Sequence, residues 1–264
     1  ELYRKLDEWG FDSMVIPHGL AWGTTNPVDA DFRDQLDQYE ERYQKLLEVY
    51  SGHGNSEPFE NFQRIAYDEQ GQAYCPEPTE NFTPCCRQAG VLALRQCQGS
   101  GGADCGQVAE QAVARFLEIG DPAGRKIFPD ASLEDWQACG QLRNAFQPSS
   151  LYVPRMSGQY SLALGFDENG APKRAKFGLI GSSDGHQARP GSSYKESNRL
   201  LYTDHKDLGQ KWLRMDLRYA DKESGGFYYT GGLIAAHSRG RDRDAIWDAL
   251  DSRNVSATSG DRML

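Results

Sequence analysis

The residues with the clearest capacity for chemistry follow an apolar run in the second half of the chain. The run at 177–180 leads through glycine and serine to Asp184 and His186. Side chains two positions apart in an extended segment point the same way, so we expect Asp184 and His186 to converge on one ion. A carboxylate oxygen and an imidazole nitrogen together suit a divalent transition metal. The alternative interpretation is a loop aspartate that caps a backbone turn beside an incidental histidine.

Two further apolar runs end close to a histidine. The run at 13–17 predicts a strand that delivers His18 just past its end, and the run at 46–51 predicts a strand that leads to His53. Glu48 lies inside the second run. Because a buried carboxylate is costly unless it is paired or bound to a metal, Glu48 needs a partner. The alternative is that Glu48 faces outward from an edge strand.

Helices and strands alternate along the chain. The spacing of apolar residues predicts a helix over 31–44, and the apolar run before Asp184 predicts a strand over 176–182. The segment 57–107 is rich in Pro, Gly, Cys, Asn and Gln, which is typical of a loop. Alternating elements imply a mostly parallel sheet or barrel, although about four strong strands are too few for a complete eight-stranded barrel. The other predicted elements are helices at 108–119, 132–146, 155–165 and 242–253, and strands at 231–237 and 255–258.

The composition limits the class of protein. Of the 264 residues, 38% are hydrophobic and 25% are charged, which is typical of a soluble globular chain with a large core. A formal net charge of −9 and the lack of a Lys/Arg cluster argue against nucleic-acid partners. No apolar run approaches the ~20 residues of a membrane span. The abrupt ends, without a signal peptide, predict a fragment of a longer protein.

All six cysteines lie between residues 75 and 139. An even number in one segment predicts a disulfide-stapled insertion and an oxidising compartment, either the periplasm or the cell exterior. A zinc site is the rival interpretation, but the segment has no Cys-x-x-Cys pair and no histidine. A cytosolic protein with six free thiols is the remaining alternative. The sequence does not choose among the possible pairings of Cys75, Cys85, Cys86, Cys97, Cys105 and Cys139.

Four blocks of the sequence resemble successive segments of one protein family. They lie at 16–19, 48–57, 177–186 and 246–250 followed by 257–260, in the order that the family shows. The family is a large bacterial one of unknown function that belongs to the PHP-like (polymerase and histidinol phosphatase) metal-dependent hydrolases. The resemblance covers nearly the whole chain apart from the cysteine-rich insertion.

The resemblance implies an α/β fold, in which residues 1–264 form a single partial domain of a distorted (β/α)7 TIM-like barrel. A cysteine-rich and helical insertion would occupy 58–150. In such proteins two or three divalent metal ions lie at the carboxyl ends of the strands, and His18, Asp184 and His186 match metal ligands of the family. Mixed His and carboxylate ligands favour zinc, manganese or iron. An early His-x-His pair is absent from this sequence and is expected upstream of its first residue.

The implied activity is metal-dependent hydrolysis of a phosphoester-like or related small anionic substrate by a metal-activated water. We assign Glu48 and His53 as catalytic residues, with His53 as a general acid. Asn55, Glu57 and Arg189 are assigned as substrate contacts, although Arg189 has a solvated loop cation as its alternative. The alternative function is a non-catalytic ligand-binding barrel or metal-binding module with an incomplete ligand set.

Overall fold

The structure is a computed structural model that describes residues 1–23, 26–27, 29–52, 54–121, 123–145, 148–149, 151–166, 169–184 and 231–259. Its helices are α1 (Leu2–Glu8), α2 (Arg33–Leu36), α3 (Cys85–Gly99), α4 (Cys105–Ile119), α5 (Leu133–Trp136), α6 (Gly158–Ala163) and α7 (Arg243–Asp251). Its strands are β1 (Leu46–Ser51), β2 (Gly54–Asn55), β3 (Ala66–Tyr67), β4 (Ala73–Tyr74), β5 (Gly178–Gly181), β6 (Leu233–Ala236) and β7 (Val255–Thr258). Short 3-10 helices cover Ala123–Ile127 and Pro154–Met156.

The strand β1 lies at the centre of a three-stranded sheet, between β2 and β5. All of its residues are buried, as expected of a continuous apolar run that is covered on both faces. The strand β5 runs parallel to β1, with Leu46 opposite Gly178 and Tyr50 opposite Gly181. The carboxyl ends of β1 and β5 therefore lie at the same edge of the sheet.

Glycines allow the antiparallel pair β6–β7 to approach β5 closely. A Cβ atom added at Gly181 or at Gly232 would lie 2.7 Å from the carbonyl oxygen of Thr258, which is closer than real side chains come. A Cβ atom added at Gly231 would clash with the Cα atom of Ser183. The chain that leaves β5 and the chain that enters β6 are therefore in direct backbone contact.

The prediction of a partial (β/α)7 TIM-like barrel is wrong. The described residues form a mixed α/β arrangement of small sheets with two or three strands, none of which closes into a barrel. Among the described strands, only β1 and β5 are parallel, because β6 and β7 pair antiparallel with each other across α7. The strands also have only two to six residues, which is too little ladder to close a barrel.

The segment 31–44 is mostly a series of turns rather than one long helix. Beyond α2, the amides of Gln38 and Tyr39 donate to carbonyl groups three residues earlier, which is the pattern of turns. These turns still bury Leu36 and Tyr43. The apolar spacing therefore identified the buried face correctly and the local conformation incorrectly.

The segment 57–107 is not a loop throughout, because it contains the 15-residue helix α3. The spacing of its buried residues is helical once cysteine is counted as an apolar residue. The buried face of α3 consists of Cys85, Cys86, Gln88, Ala89, Gly90, Leu92 and Ala93. The loop-like composition of the segment concealed this helical spacing of buried residues.

The run at 13–17 is extended chain rather than a strand. The amide of Val15 donates to the carbonyl of Tyr43 at 2.9 Å, and the carbonyl of Pro17 accepts from the amide of Glu48 at 3.3 Å. Proline has no amide hydrogen, so Pro17 cannot extend a regular ladder. Two single hydrogen bonds hold this segment beside the chain that leads into β1 and beside the middle of β1.

The elements nearest the carboxyl end are predicted correctly, since β6, α7 and β7 lie within 231–237, 242–253 and 255–258. The strand β5 likewise lies within 176–182. The helix α4 confirms the prediction at 108–119 but begins at Cys105, and α5 and α6 are shorter than predicted.

Two hydrophobic clusters form the core of the part of the chain that the structure describes. In the first, Phe62 stacks on Phe82 with ring centroids 3.9 Å apart and on Tyr152 at 5.6 Å, and Leu47 and Val49 of β1 belong to the same cluster. The second cluster is built from α3, α4 and α5 around buried cysteines. Burial raises the pKa of Tyr152 to about 12, so this hydroxyl stays protonated well above neutral pH.

The six cysteines form three pairs at disulfide distance: Cys75–Cys86, Cys85–Cys139 and Cys97–Cys105. The predicted stapled segment is thus confirmed, and neither a zinc cluster nor six free thiols fits these pairs. Three such pairs are compatible with an oxidising extracellular environment. In the described part of the chain, no helix has the length and apolar character needed to cross a membrane.

The Cys85–Cys139 disulfide is expected to stabilise the fold more than Cys97–Cys105. The first pair closes a loop with a sequence separation of 54 and the second one of 8. Chain-entropy arithmetic gives contributions of about 4 and about 2.5 kcal/mol to the free energy of unfolding. Urea unfolding of the double variant Cys85→Ala/Cys139→Ala should therefore show the larger loss. Equal losses in the matched Cys97→Ala/Cys105→Ala protein would contradict this ranking.

Candidate functional site

His18 is placed by the extended segment that runs beside β1. The carbonyl of Pro17, the residue before it, accepts the hydrogen bond from the Glu48 amide. Gly19, the residue after it, has a φ of +64°, a left-handed conformation that glycine tolerates. Beyond this turn, the Asn26 side chain donates to three carbonyl groups at 2.7–3.1 Å. The backbone is therefore held on both sides of His18.

The carboxylate of Glu48 joins two segments that are distant in the sequence. Glu48 lies in the middle of β1, and its side chain is only 9% exposed. Its Oε1 atom lies 2.7 Å from Nδ1 of His18, and its Oε2 atom accepts a hydrogen bond from Oγ of Ser182 at 2.6 Å. Glu48 therefore has the partner that its burial requires, and it does not face outward from an edge strand.

Asp184 lies just beyond the carboxyl end of β5 and faces His18. The amide of Ser182 donates to the carbonyl of Tyr50 at 2.8 Å, which holds this part of the chain at the sheet edge. Asp184 has a φ of +53°, and its side chain is 6% exposed. Its Oδ1 atom lies 3.7 Å from Nε2 of His18. Its Oδ2 atom is buried and has no hydrogen-bond partner among the residues described here.

The carboxylates around His18 favour its protonated form. The hydrogen bond to Glu48 raises the pKa of His18 above 6.5, and the charges of Glu48 and Asp184 act in the same direction. Partial burial opposes them by disfavouring the charged imidazole. Because Glu48 binds Nδ1, the nitrogen that faces Asp184 is Nε2.

The separation of His18 and Asp184 suits two ligands of one metal ion. Ligand distances of roughly 2.0–2.2 Å at angles of about 90–120° place two ligand atoms roughly 3–3.7 Å apart. The observed 3.7 Å between Nε2 and Oδ1 lies at the upper end of this range and is too long for a hydrogen bond. Among the described residues, no three His, Cys, Asp or Glu side chains form a metal-binding group. His186, the third predicted ligand, lies outside these residues.

Of the four remaining predicted site residues, two lie within the described part of the chain. Asn55 uses its side-chain oxygen to accept a hydrogen bond from the amide of Glu57 at 2.9 Å, which is a local turn contact. Glu57 is exposed. His53 and Arg189 lie outside the described residues. The predicted roles of these four residues remain predictions.

Sequence reasoning missed two residues that position the site. Ser182 binds the second oxygen of Glu48, and Asn26 holds the turn after His18. The sequence did contain a signal for Ser182, because its hydroxyl group is two positions before Asp184 and therefore on the same side of an extended chain. Asn26 carried no comparable signal, because its contacts depend on how the turn folds back.

Comparison with protein families gives one match within the chain. Residues 160–264 match a family described as "Protein of unknown function (DUF3604)". The matched segment contains Ser182 and Asp184, whereas His18 and Glu48 precede it. The search of curated proteins and the search of solved structures found no match.

These findings contradict the expected membership of the PHP-like hydrolases. The matching family has no known function, and no polymerase and histidinol phosphatase family matches the chain. Two of the four blocks that suggested the resemblance, at 177–186 and at 246–250 with 257–260, lie within the matched segment. The match also begins at residue 160 and leaves the blocks at 16–19 and 48–57 outside it.

The pKa of His18 is expected to fall when the charge of Glu48 is removed. Glutamine at position 48 keeps the hydrogen-bonding shape of the side chain but not its charge, so Glu48→Gln should lower this pKa. The ion pair stabilises the metal-free fold below about pH 6.5, and this stabilisation is lost as the pH rises through the raised pKa of His18. Histidine titration by NMR on metal-free protein measures the effect.

Ser182→Ala provides the matched control, because it releases only the second oxygen of Glu48. The raised pKa of His18 should persist in this variant. An unchanged pKa in Glu48→Gln would show that Glu48 does not control the imidazole.

Proposed function

We propose that this protein binds a divalent transition metal ion through His18 and Asp184 and hydrolyses a small anionic, phosphoester-like substrate. The observation that carries the proposal is the fixed orientation of His18. Glu48 binds Nδ1 at 2.7 Å, and Nε2 faces the buried carboxylate of Asp184 at 3.7 Å. A histidine whose second nitrogen is held by a carboxylate is the usual arrangement of a metal ligand. His186 is the candidate for a third ligand.

Each residue of the site has a different role in this proposal. Glu48 accepts the Nδ1 proton of His18 and so leaves the lone pair of Nε2 available for a metal ion. Ser182 fixes Glu48 by binding its other oxygen. Asp184 contributes a buried carboxylate whose Oδ2 atom has no hydrogen-bond partner in the described part of the chain, so this oxygen is available to a metal ion.

The position of the site supports a binding function. Asp184 lies beyond the carboxyl end of β5, at the edge of the sheet where the parallel strands β1 and β5 both end, which is where ligands bind in open α/β sheets. His18 faces Asp184 from the extended segment beside β1. The side chain of His18 is half exposed, so a small molecule can reach this edge.

Electrostatics favours an anionic substrate only with a bound cation. The two carboxylates of Glu48 and Asp184 outweigh the single imidazole, and the whole chain carries a net charge of −9. A bound divalent ion supplies the compensating charge, polarises the substrate and lowers the pKa of a bound water. Without this ion, we expect an anionic substrate to be repelled.

A non-catalytic metal-binding module is the second candidate. Both oxygens of Glu48, a predicted catalytic residue, are engaged by His18 and Ser182, so Glu48 is placed to orient a ligand rather than to transfer a proton. Only two donors converge among the described residues.

Metal content should depend on Asp184 and, more weakly, on Glu48. Purified protein is expected to hold zinc, manganese or iron, measured by elemental mass spectrometry and by calorimetric titration with each ion. Asp184→Asn removes an anionic ligand and should abolish binding. Glu48→Gln perturbs only the orientation of His18 and should weaken affinity by roughly 10–100-fold. Absence of all three metals, with no binding on titration, would overturn both candidate functions.

Hydrolysis separates the two candidates. Metal-loaded protein is expected to release nitrophenol from nitrophenyl phosphate mono- or diesters, and Asp184→Asn should lose this activity. The exposed, unrelated Asp68→Asn serves as the matched carboxylate control. Stoichiometric metal without turnover of phosphate, sulfate or carboxylate esters would reject the hydrolase and retain the metal-binding module.

A further inference from the structure

The disulfide at the tip of the α3–α4 hairpin differs from the other two. Cys97 lies in the last turn of α3, Cys105 begins α4, and the chain between them is rich in glycine. Neither Cys97 nor Cys105 is buried, whereas each of the other two pairs contains at least one buried cysteine. We call Cys97–Cys105 the hairpin disulfide. It is the pair in which both residues reach solvent.

An open cavity borders the hairpin disulfide. It has a volume of about 590 Å³ and lies between α3, α4 and the end of the 3-10 helix Ala123–Ile127. Cys97 lines it, together with Val108 and Ala112 of α4. A Cβ atom added at Gly102 would lie 2.7 Å from Sγ of Cys97, so the residue against this sulfur has no side chain that could cover it. A small thiol can therefore reach Cys97 from the cavity.

Cys105 is the better placed of the two sulfur atoms to leave as a thiolate. It occupies the first position of the 15-residue helix α4, whose amino end stabilises negative charge. Cys97 lies at the carboxyl end of α3, where the helix dipole disfavours a thiolate. Exchange is faster when the leaving thiolate is more stable. Attack on Cys97 with departure of Cys105 is therefore the favoured direction.

The other two disulfides lack this combination of access and leaving group. Cys85 and Cys139 are only 1% and 4% exposed, so a reagent cannot reach either residue in the folded protein. Cys75 is partly exposed, but attack on it would release the thiolate of Cys86, which is fully buried in the second hydrophobic cluster. A charge buried among apolar side chains is strongly disfavoured. Exchange without unfolding is therefore confined to the hairpin disulfide.

The two helices are also held together without the hairpin disulfide. A Cβ atom added at Gly90 would lie 2.9 Å from Cγ2 of Val113, so α3 and α4 are in direct contact away from the tip. Phe116 of α4 is fully buried in the second cluster. The carbonyl oxygen of Gly102 lies 3.3 Å from Sγ of Cys105 and can accept a hydrogen bond from the reduced thiol. Reduction therefore opens the tip and leaves the helix pair in place.

We propose that the hairpin disulfide is a thiol–disulfide exchange site, which a small dithiol attacks at Cys97. One thiolate of the dithiol bonds to Sγ of Cys97, the bond to Cys105 breaks, and Cys105 keeps the electron pair and takes up a proton. The second thiolate of the dithiol then displaces Cys97, which is protonated in turn. The dithiol becomes a disulfide, and two electrons and two protons pass to the protein. This exchange does not depend on the proposed metal site.

Selective reduction tests the exchange site. The intact protein is treated with dithiothreitol, quenched with iodoacetamide at intervals and mapped by peptide mass spectrometry. Cys97 and Cys105 should be alkylated at least about tenfold faster than the other four cysteines, while the helical circular dichroism signal stays unchanged. Brief treatment with glutathione should place the mixed disulfide mainly on Cys97 and leave Cys105 as a free thiol.

Filling the cavity should slow the exchange. Ala112→Phe places an aromatic ring beside Cys97 and should lower the rate of reduction of the hairpin disulfide about fivefold or more, because access limits exchange. The matched control is Ala114→Phe, which adds the same ring at an exposed position of the same helix and should keep the wild-type rate. If Ala112→Phe does not fold, the two maps of the wild-type protein decide.

Three results would overturn the proposal. Reduction of either other pair before or together with the hairpin disulfide would show that exchange requires unfolding or has another site. Glutathione found mainly on Cys105 would contradict the direction of attack. Equal rates in folded Ala112→Phe and wild type would show that the thiol does not approach through the cavity.

Discussion

The buried carboxylate of Glu48 is the interaction on which the candidate site depends. It lies in the middle of the central strand, where an unpaired charge would be strongly destabilising. One oxygen contacts the histidine that follows an extended segment near the start of the chain, and the other contacts Ser182 after β5. Three distant parts of the sequence are thereby fixed relative to one another by one side chain. Loss of this carboxylate would disturb the site and the core together.

Part of the fold could be predicted from the sequence because it depends on the local pattern of apolar residues. The strand β1 and the helix α7 follow directly from a continuous apolar run and from a helical apolar period. The pairing of the strands could not be predicted in the same way, because an apolar run does not specify whether its neighbour is parallel or antiparallel. The antiparallel pair β6–β7 and the turns after α2 depend on tertiary contacts, and these decide against the barrel.

The candidate site shows the same division between local and tertiary information. The sequence indicated that His18, Glu48 and Asp184 lie within or just after apolar runs. The structure brings these three residues together. The contacts between them could not be predicted: Glu48 contacts His18 through one oxygen and Ser182 through the other. Which of two carboxylates supports a histidine and which faces it depends on distances that the sequence does not contain.

The close contact between Gly231 and Ser183 has a consequence for how this protein can vary among its relatives. Because the two backbones touch, the chain that departs after Asp184 re-enters the sheet at the point from which it left. The entropic cost of joining two fixed points rises only slowly with the length of the chain between them. We therefore expect the strands to accommodate changes in the length of the chain between these two points.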